Sequence, residues 1–239
     1  MIPTLERSPL GYARTCGVLY LAIIFLGIFG ELVVRGSIVV AGDPSSTANR
    51  LLASEFLWRS GIAGDLLMHV LDVPTIVIFY LLLRPVSESL ALLSTALNLV
   101  QTAVLAMNKL SLLVPVFLLD GPGYLGVIPT PHLHVLSYIS IKAHGYGFAI
   151  GLVFFGFTCL VRGYLILKSD YFPKVLGVLL QVAGVSYLLN SFALLLAPSF
   201  AQSISPGVLV PALVGELSLA MWLLTKGLNV ERWTQRVQS

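Results

Sequence analysis

The chain has 239 residues, of which 57% are hydrophobic and only 10% charged, and its mean hydropathy is +0.92. A water-soluble domain carries about a quarter charged residues, so this composition excludes a soluble fold and predicts an integral membrane protein. The net charge of +3 is dispersed without a basic tract, low-complexity run or internal repeat, which excludes nucleic acid as a partner.

A helix crossing the hydrocarbon layer needs about 20 mostly apolar residues. Six segments meet that length, at about 14–35, 60–83, 88–112, 140–163, 172–197 and 206–227. They predict an all-α fold, a polytopic six-helix bundle forming one transmembrane domain over residues 1–239. The first segment follows Arg7 and Arg14, as a signal peptide would. It exceeds the usual apolar core of such a peptide, contains Glu31 and lacks a small-x-small cleavage site, so it reads as a retained span.

Ser45-Ser46-Thr47 precedes Ala48 to Trp58, where Leu51, Leu52, Glu55, Phe56 and Trp58 alternate with polar positions. That pattern suits a hydroxyl-capped amphipathic helix at the interface, or else the first turns of the second span. Arg84-Pro85 marks a tight turn. The stretch Asp120 to Pro131, with Gly121-Pro122-Gly123 and Pro129-Thr130-Pro131, reads as an irregular loop over the mouth of the bundle. Ser169 to Pro173 and Pro198 to Pro206 supply the remaining connections. Cys16 and Cys159, near span ends, read as packing residues.

Cytoplasmic connections of membrane proteins are enriched in Lys and Arg. With the N-terminus inside, Arg7, Arg14, Arg84, Arg162, Lys168, Lys174, Lys226, Arg232 and Arg236 fall on the cytoplasmic side. Arg35, Arg50, Arg59, Lys109 and Lys142 fall outside. Nine against five predicts both termini in the cytoplasm and a cytoplasmic (inner) membrane location.

Ionisable groups inside spans are costly and mark function by default. Glu31, Asp65, Asp72 and Glu216 are such acids, and His69 and His144 lie in similar stretches. Asp65, His69 and Asp72 recur at i, i+4 and i+7, along one helix face, with Pro74 close behind. Asn98, Gln101, Leu105 and Asn108 form a milder stripe on the third span, and Tyr187, Asn190 and Ser191 share a face of the fifth. His144 and Tyr146 open the fourth span, where Gly147 and Gly151 form a small-xxx-small pair suited to close helix contact. Placed by depth, nearly all these residues fall in the outer half of the membrane. The expected pocket has Asp65, His69, Asp72, His144 and Glu216 at its core, with Glu31, Gln101, Asn108, Tyr146 and Asn190 around them. Plainer roles compete: Glu31 and Arg35 can pair at i, i+4, and Asp65 and Asp72 can hydrogen-bond Asn, Tyr or Lys109. His132 and His134 have the spacing of a strand or loop metal site but read better as interfacial loop residues.

The run Gly30 to Ser37, then Leu52-Ala53-Ser54-Glu55 and Gly64-Asp65-Leu66-Leu67, resembles a bacterial multi-pass family, domain of unknown function 4386. Leu71-Asp72-Val73, Leu82 to Val86, His144 to Phe148, Gly151 to Gly156, and Leu209 to Trp222 centred on Gly215-Glu216-Leu217 look like its signatures too. The resemblance covers about residues 13–229. It implies an integral membrane protein of several helices and carries no activity with it.

Three functions follow from the pocket residues. The leading one is a binder of a small hydrophobic or lipid-like molecule, or an ion, with the bilayer as its other partner. The second is a metal-dependent hydrolase acting on a lipid-like substrate. There Asp65, His69, Asp72, His144 and Glu216 would ligate a divalent ion such as zinc. No H-E-x-x-H or G-x-S-x-G motif supports it, and whether the chain is an enzyme stays open. The third is a proton-coupled transporter using Asp72 or Glu216. Haem ligation by His69 and His144 is a lesser variant of the first.

Overall fold

Inside a hydrocarbon layer a backbone satisfies its own polar groups only by winding into helices or closing a barrel. The computed structural model of the chain describes residues 8–121 and 123–238, which take the helical solution, with no strand among the described residues. The helices are α1 (Pro9–Ile38), α2 (Pro44–Ala53), α3 (Glu55–Leu83), α4 (Glu88–Leu119), α5 (Thr130–Lys168), α6 (Lys174–Leu196), α7 (Pro198–Ile204), α8 (Gly207–Thr225) and α9 (Val230–Gln238). Six of them, α1, α3, α4, α5, α6 and α8, are long and apolar enough to cross a membrane. They coincide with the six expected segments, and the protein is a multi-pass integral membrane protein. Each expected boundary falls within ten residues of the observed one, and two coincide; α5 is extended most, because the loop before it is shorter than Asp120 to Pro131 suggests. Gly123–Val127 forms a single 3₁₀ turn there. His132 and His134 therefore sit in the first turns of α5, where an i, i+2 pair points apart, and not in a loop or strand.

The connection before α3 corrects a second expectation. The N-cap of α2 is Asp43, whose carboxylate accepts from the Ser46 amide at 2.9 Å and the Ser46 hydroxyl at 2.6 Å. These bonds hold the Asp43 carboxyl below its ordinary range. The helix ends at Ala53, and Phe56 and Trp58 belong to α3. Trp58 is buried and donates from Nε1 to the Leu112 carbonyl at 2.8 Å, tying α3 to α4. Around it pack Val34, Ile38, Leu51, Ile62 and Val116.

Glycine decides the tightest contact. Without a hydrophobic drive between helices in lipid, association depends on close backbone approach. In α5 and α6, a Cβ on Gly163 would lie 2.7 Å from the Gly177 carbonyl oxygen, and one on Gly177 would lie 2.7 Å from that of Gly163. Seven residues along, Gly184 stands in the same relation to Gly156. Two reciprocal glycine pairs thus press the antiparallel helices together. Gly147 and Gly151 do the same for α5 against Asn108 and Leu105 of α4.

At the end of the bundle carrying α9, the Leu82 carbonyl in the last turn of α3 is one of the acceptors a helix end leaves open. It accepts from the Tyr171 hydroxyl at 2.8 Å and from Trp233 Nε1 at 3.2 Å. Burial pushes the Tyr171 phenol up, which keeps its donor proton in place. Three cations counted above with the connections lie inside the bundle: Arg35 in α1, Lys109 in α4 and Arg162 in α5. The side chains of Lys109 and Arg162 are each only 3% exposed.

Candidate functional site

The buried polar residues form two layers. The first lies toward the end carrying α2. There α1 leaves its regular winding for a π-helical stretch over Phe29–Arg35, a distortion frequent at functional positions. Arg35 reaches Glu31 Oε2 with Nε at 2.7 Å and Asp65 Oδ2 with Nη1 at 2.7 Å. Lys109 Nζ meets the same Asp65 oxygen at 2.9 Å and lies 3.4 Å from His144 Nε2. Asn108 donates to the His144 carbonyl at 2.8 Å. Two carboxylates and two cations make this layer formally neutral. Glu31 is its exposed edge, with a side chain 65% exposed, whereas Asp65 is 1% exposed. Gly30 makes room for the layer, because a Cβ there would collide with Asp65 Oδ1.

The second layer begins at His69, one helical turn and about 6 Å along α3 from Asp65, and includes Asp72, two turns and about 10 Å on. Asp72 Oδ2 accepts from the Thr102 hydroxyl and, at 3.3 Å, from Asn98 Nδ2. Asn98 also donates to Gln101 Oε1 at 2.7 Å and accepts from Arg162 Nη2 at 2.7 Å. The Arg162 guanidinium stacks 4.1 Å from the Phe79 ring centroid. Glu216 of α8 accepts from the Tyr187 hydroxyl at 2.5 Å.

Asp72, Gln101, Arg162 and Glu216 of this layer border a cavity of about 110 Å³. Ile23, Met68, Leu105, Phe148, Leu152 and Phe155 give it apolar walls; Tyr20, His69, Asp72, Gln101, Arg162 and Glu216 give it polar points. Thr75 completes the lining. The midpoints of α1, α3, α4, α5 and α8 fall at about residues 23, 69, 103, 149 and 216. Those positions line or adjoin the cavity, so it sits near the middle of these helices. His69 Nε2 and Arg162 Nε are both buried and have no hydrogen-bond partner.

The expected pocket residues are therefore divided. His69, Asp72, Gln101 and Glu216 border the cavity, while Glu31, Asp65, Asn108 and His144 belong to the ion layer. Tyr146 is 41% exposed and faces away from both. Asn190 is half-buried and does not line the cavity. The expected zinc set does not assemble: among the described residues no three His, Cys, Asp or Glu side chains converge as metal ligands. The Lys109 ammonium occupies the point between Asp65 and His144 that an ion would take. Haem ligation fails on geometry as well, since His144 does not border the cavity and a macrocycle far exceeds it. Cys16 and Cys159 are free and buried, as packing residues are.

Arg162 and Lys109 are the residues that charge counting misassigned. A signal existed for both, because Gly163 to Leu167 and Leu110 to Leu119 continue apolar beyond them. Nothing comparable marks Tyr20 or Phe79, whose roles depend on the facing helices.

The family described as Domain of unknown function (DUF4386) matches residues 15–227 of the chain. An uncharacterized protein of Archaeoglobus fulgidus is 29% identical over 168 residues, covering 70% of this chain and 83% of that relative. No solved structure matches the chain significantly.

Proposed function

The chain belongs to the DUF4386 family, and we propose that it binds a small, mostly apolar molecule with a polar end in the cavity at mid-membrane. The observation that carries this reading is a largely apolar cavity lined by three side chains with a buried, unpartnered polar atom, Tyr20 Oη, His69 Nε2 and Arg162 Nε. An unsatisfied buried polar group costs about 1–3 kcal/mol, and a bound molecule or water recovers that cost. A cavity of about 150 Å³ holds benzene. By that scale the 110 Å³ here accommodates roughly four or five non-hydrogen atoms.

The proposal includes a cytoplasmic membrane location with the α9 end of the bundle facing the cytoplasm. Setting aside Arg35, Lys109 and Arg162, whose charges are taken up inside the bundle, leaves seven basic residues at the α9 end against three at the α2 end among the described residues. The bias sharpens from nine against five. The hydrolase reading loses its ligand set to the ion layer and is not carried forward.

The test uses the purified protein in lipid nanodiscs with a panel of fragments of about four to seven non-hydrogen atoms. Leu152→Trp fills the cavity, with Leu105→Phe as a milder filler. Fragments that raise the thermal unfolding midpoint of the parent protein and not of the filled variants support the reading. A panel with no effect, or with equal effects on all three proteins, overturns it.

A further inference from the structure

The ionisable groups that border the cavity are unequal in number. Two carboxylates border it, Asp72 and Glu216, against one guanidinium, Arg162. His69 supplies none while its unpartnered Nε2 is an acceptor. The Arg162 charge is already directed: its Nη2 bonds Asn98, and Asn98 bonds Asp72. One bridging amide therefore couples the only nearby cation to Asp72, and the Phe79 ring covers the guanidinium face. Glu216 receives only the neutral Tyr187 hydroxyl from α6. Tyr20 from α1, Asp72 from α3, and Cys159 and Arg162 from α5 are the other ionisable groups near it. No lysine or second arginine approaches, because Lys109 and Arg35 are committed to Asp65.

Resting on the cavity as a binding site, we propose that its ligand is a small organic monocation: an amine whose ammonium group pairs with Glu216 and whose hydrocarbon part lies against Phe148, Leu152 and Phe155. An anionic ligand would face two carboxylates in a low-dielectric site, where like charges repel strongly. A neutral ligand would leave the Glu216 charge uncompensated. A monocation brings the count to zero, as the ion layer achieves with Arg35 and Lys109. His69 Nε2, 4% exposed as a residue and without a partner, provides a second acceptor for an ammonium N–H. Phe148, Phe155 and Tyr20 line the cavity, and aromatic rings attract cations. Arg162 lies seven residues beyond Phe155 on α5, about 10 Å along the axis, and its guanidinium is directed to Asn98.

The experiment is calorimetric titration of the nanodisc protein with n-butylammonium, n-butanol and butyrate, which have nearly the same shape. The amine is expected to bind about tenfold or more tightly than the alcohol, as a charge-assisted hydrogen bond in a dry site requires. Butyrate is expected not to bind. Glu216→Gln, which keeps the side-chain shape, is expected to abolish the preference for amine over alcohol. Equal binding of amine and alcohol, or a preference for butyrate, overturns the inference while leaving the cavity as a binding site. Amine preference that survives in Glu216→Gln overturns the assignment to Glu216. A parent protein that takes none of the three overturns the inference and the binding reading together.

Discussion

The ion layer and the cavity layer draw on the same residue types at neighbouring depths, yet they are put together in opposite ways. In the first, every formal charge has an opposite charge within 3 Å: Arg35 with Glu31 and Asp65, and Lys109 with Asp65. Glycines 30 and 147 close the space around it. In the second, Arg162 reaches Asp72 only through Asn98, Glu216 has a hydroxyl for a partner, and a void remains beside them. Buried charges that are fully matched and tightly packed serve the scaffold, because removing one partner strands the other. Under the proposed function, the buried polar groups beside the void are matched by a bound molecule that is not part of the chain.

The contrast is broken most severely at Asp65. Asp65→Ala strands both Arg35 and Lys109 and is expected to cost about 3–5 kcal/mol, read as a lower midpoint of unfolding in mixed micelles. A loss below about 1 kcal/mol would mean that the layer is hydrated and not a scaffold. Gly30→Ala should follow, since its methyl group has to displace the Asp65 carboxylate; overpacking of this kind costs about 1–3 kcal/mol. The same assay checks it, and an unchanged midpoint would show that α1 shifts freely at its π-helical turn.

Glu216→Gln sharpens the comparison from the other side. It removes an uncompensated charge while keeping the shape, so the ligand-free protein should be unchanged or more stable by up to about 1 kcal/mol. Marked destabilisation by this substitution would place Glu216 with Asp65 as scaffold. The smallest effect is expected outside both layers, at Asp43. Its carboxyl is held below the ordinary range in the folded protein, so its contribution is present above the unfolded value and is lost as pH falls through the lowered folded one. Asp43→Ala should raise amide hydrogen exchange at Ser46 and Thr47 at neutral pH, and in the parent protein the same increase should appear only in acid. Exchange that does not respond to the substitution would show that Thr47 and Val40, which bond at 2.9 Å, hold the turn alone.

Much of this organisation can be read in one dimension. The six spans follow from apolar length, because a bilayer demands helices of a fixed reach. The stripe Asp65, His69 and Asp72 follows from helical period, and Asp65 and His69 are indeed both buried on one face. The sequence also pointed to Glu31 with Arg35, a local i, i+4 pair. What it did not resolve was depth: the acids on α3 seem to share one site when counted from the start of the span. In the structure a single helical turn separates a closed ion layer from an open cavity. Helix ends were the weak point, since counting Lys109 and Arg162 toward the two membrane sides hid the cations that decide which acids are satisfied.

Apolar length, helical period and the scarcity of charge by themselves determined a six-span helical membrane protein with acids and histidines inside it. Only the tertiary structure decided which of those groups are neutralised. Asp65 meets Lys109 across 44 residues, Arg162 meets Asn98 across 64, and Tyr187 meets Glu216 across 29. Such pairings depend on the rotation and depth of one helix against another, set here by glycine contacts and side-chain packing, and hydropathy along a single chain contains neither coordinate.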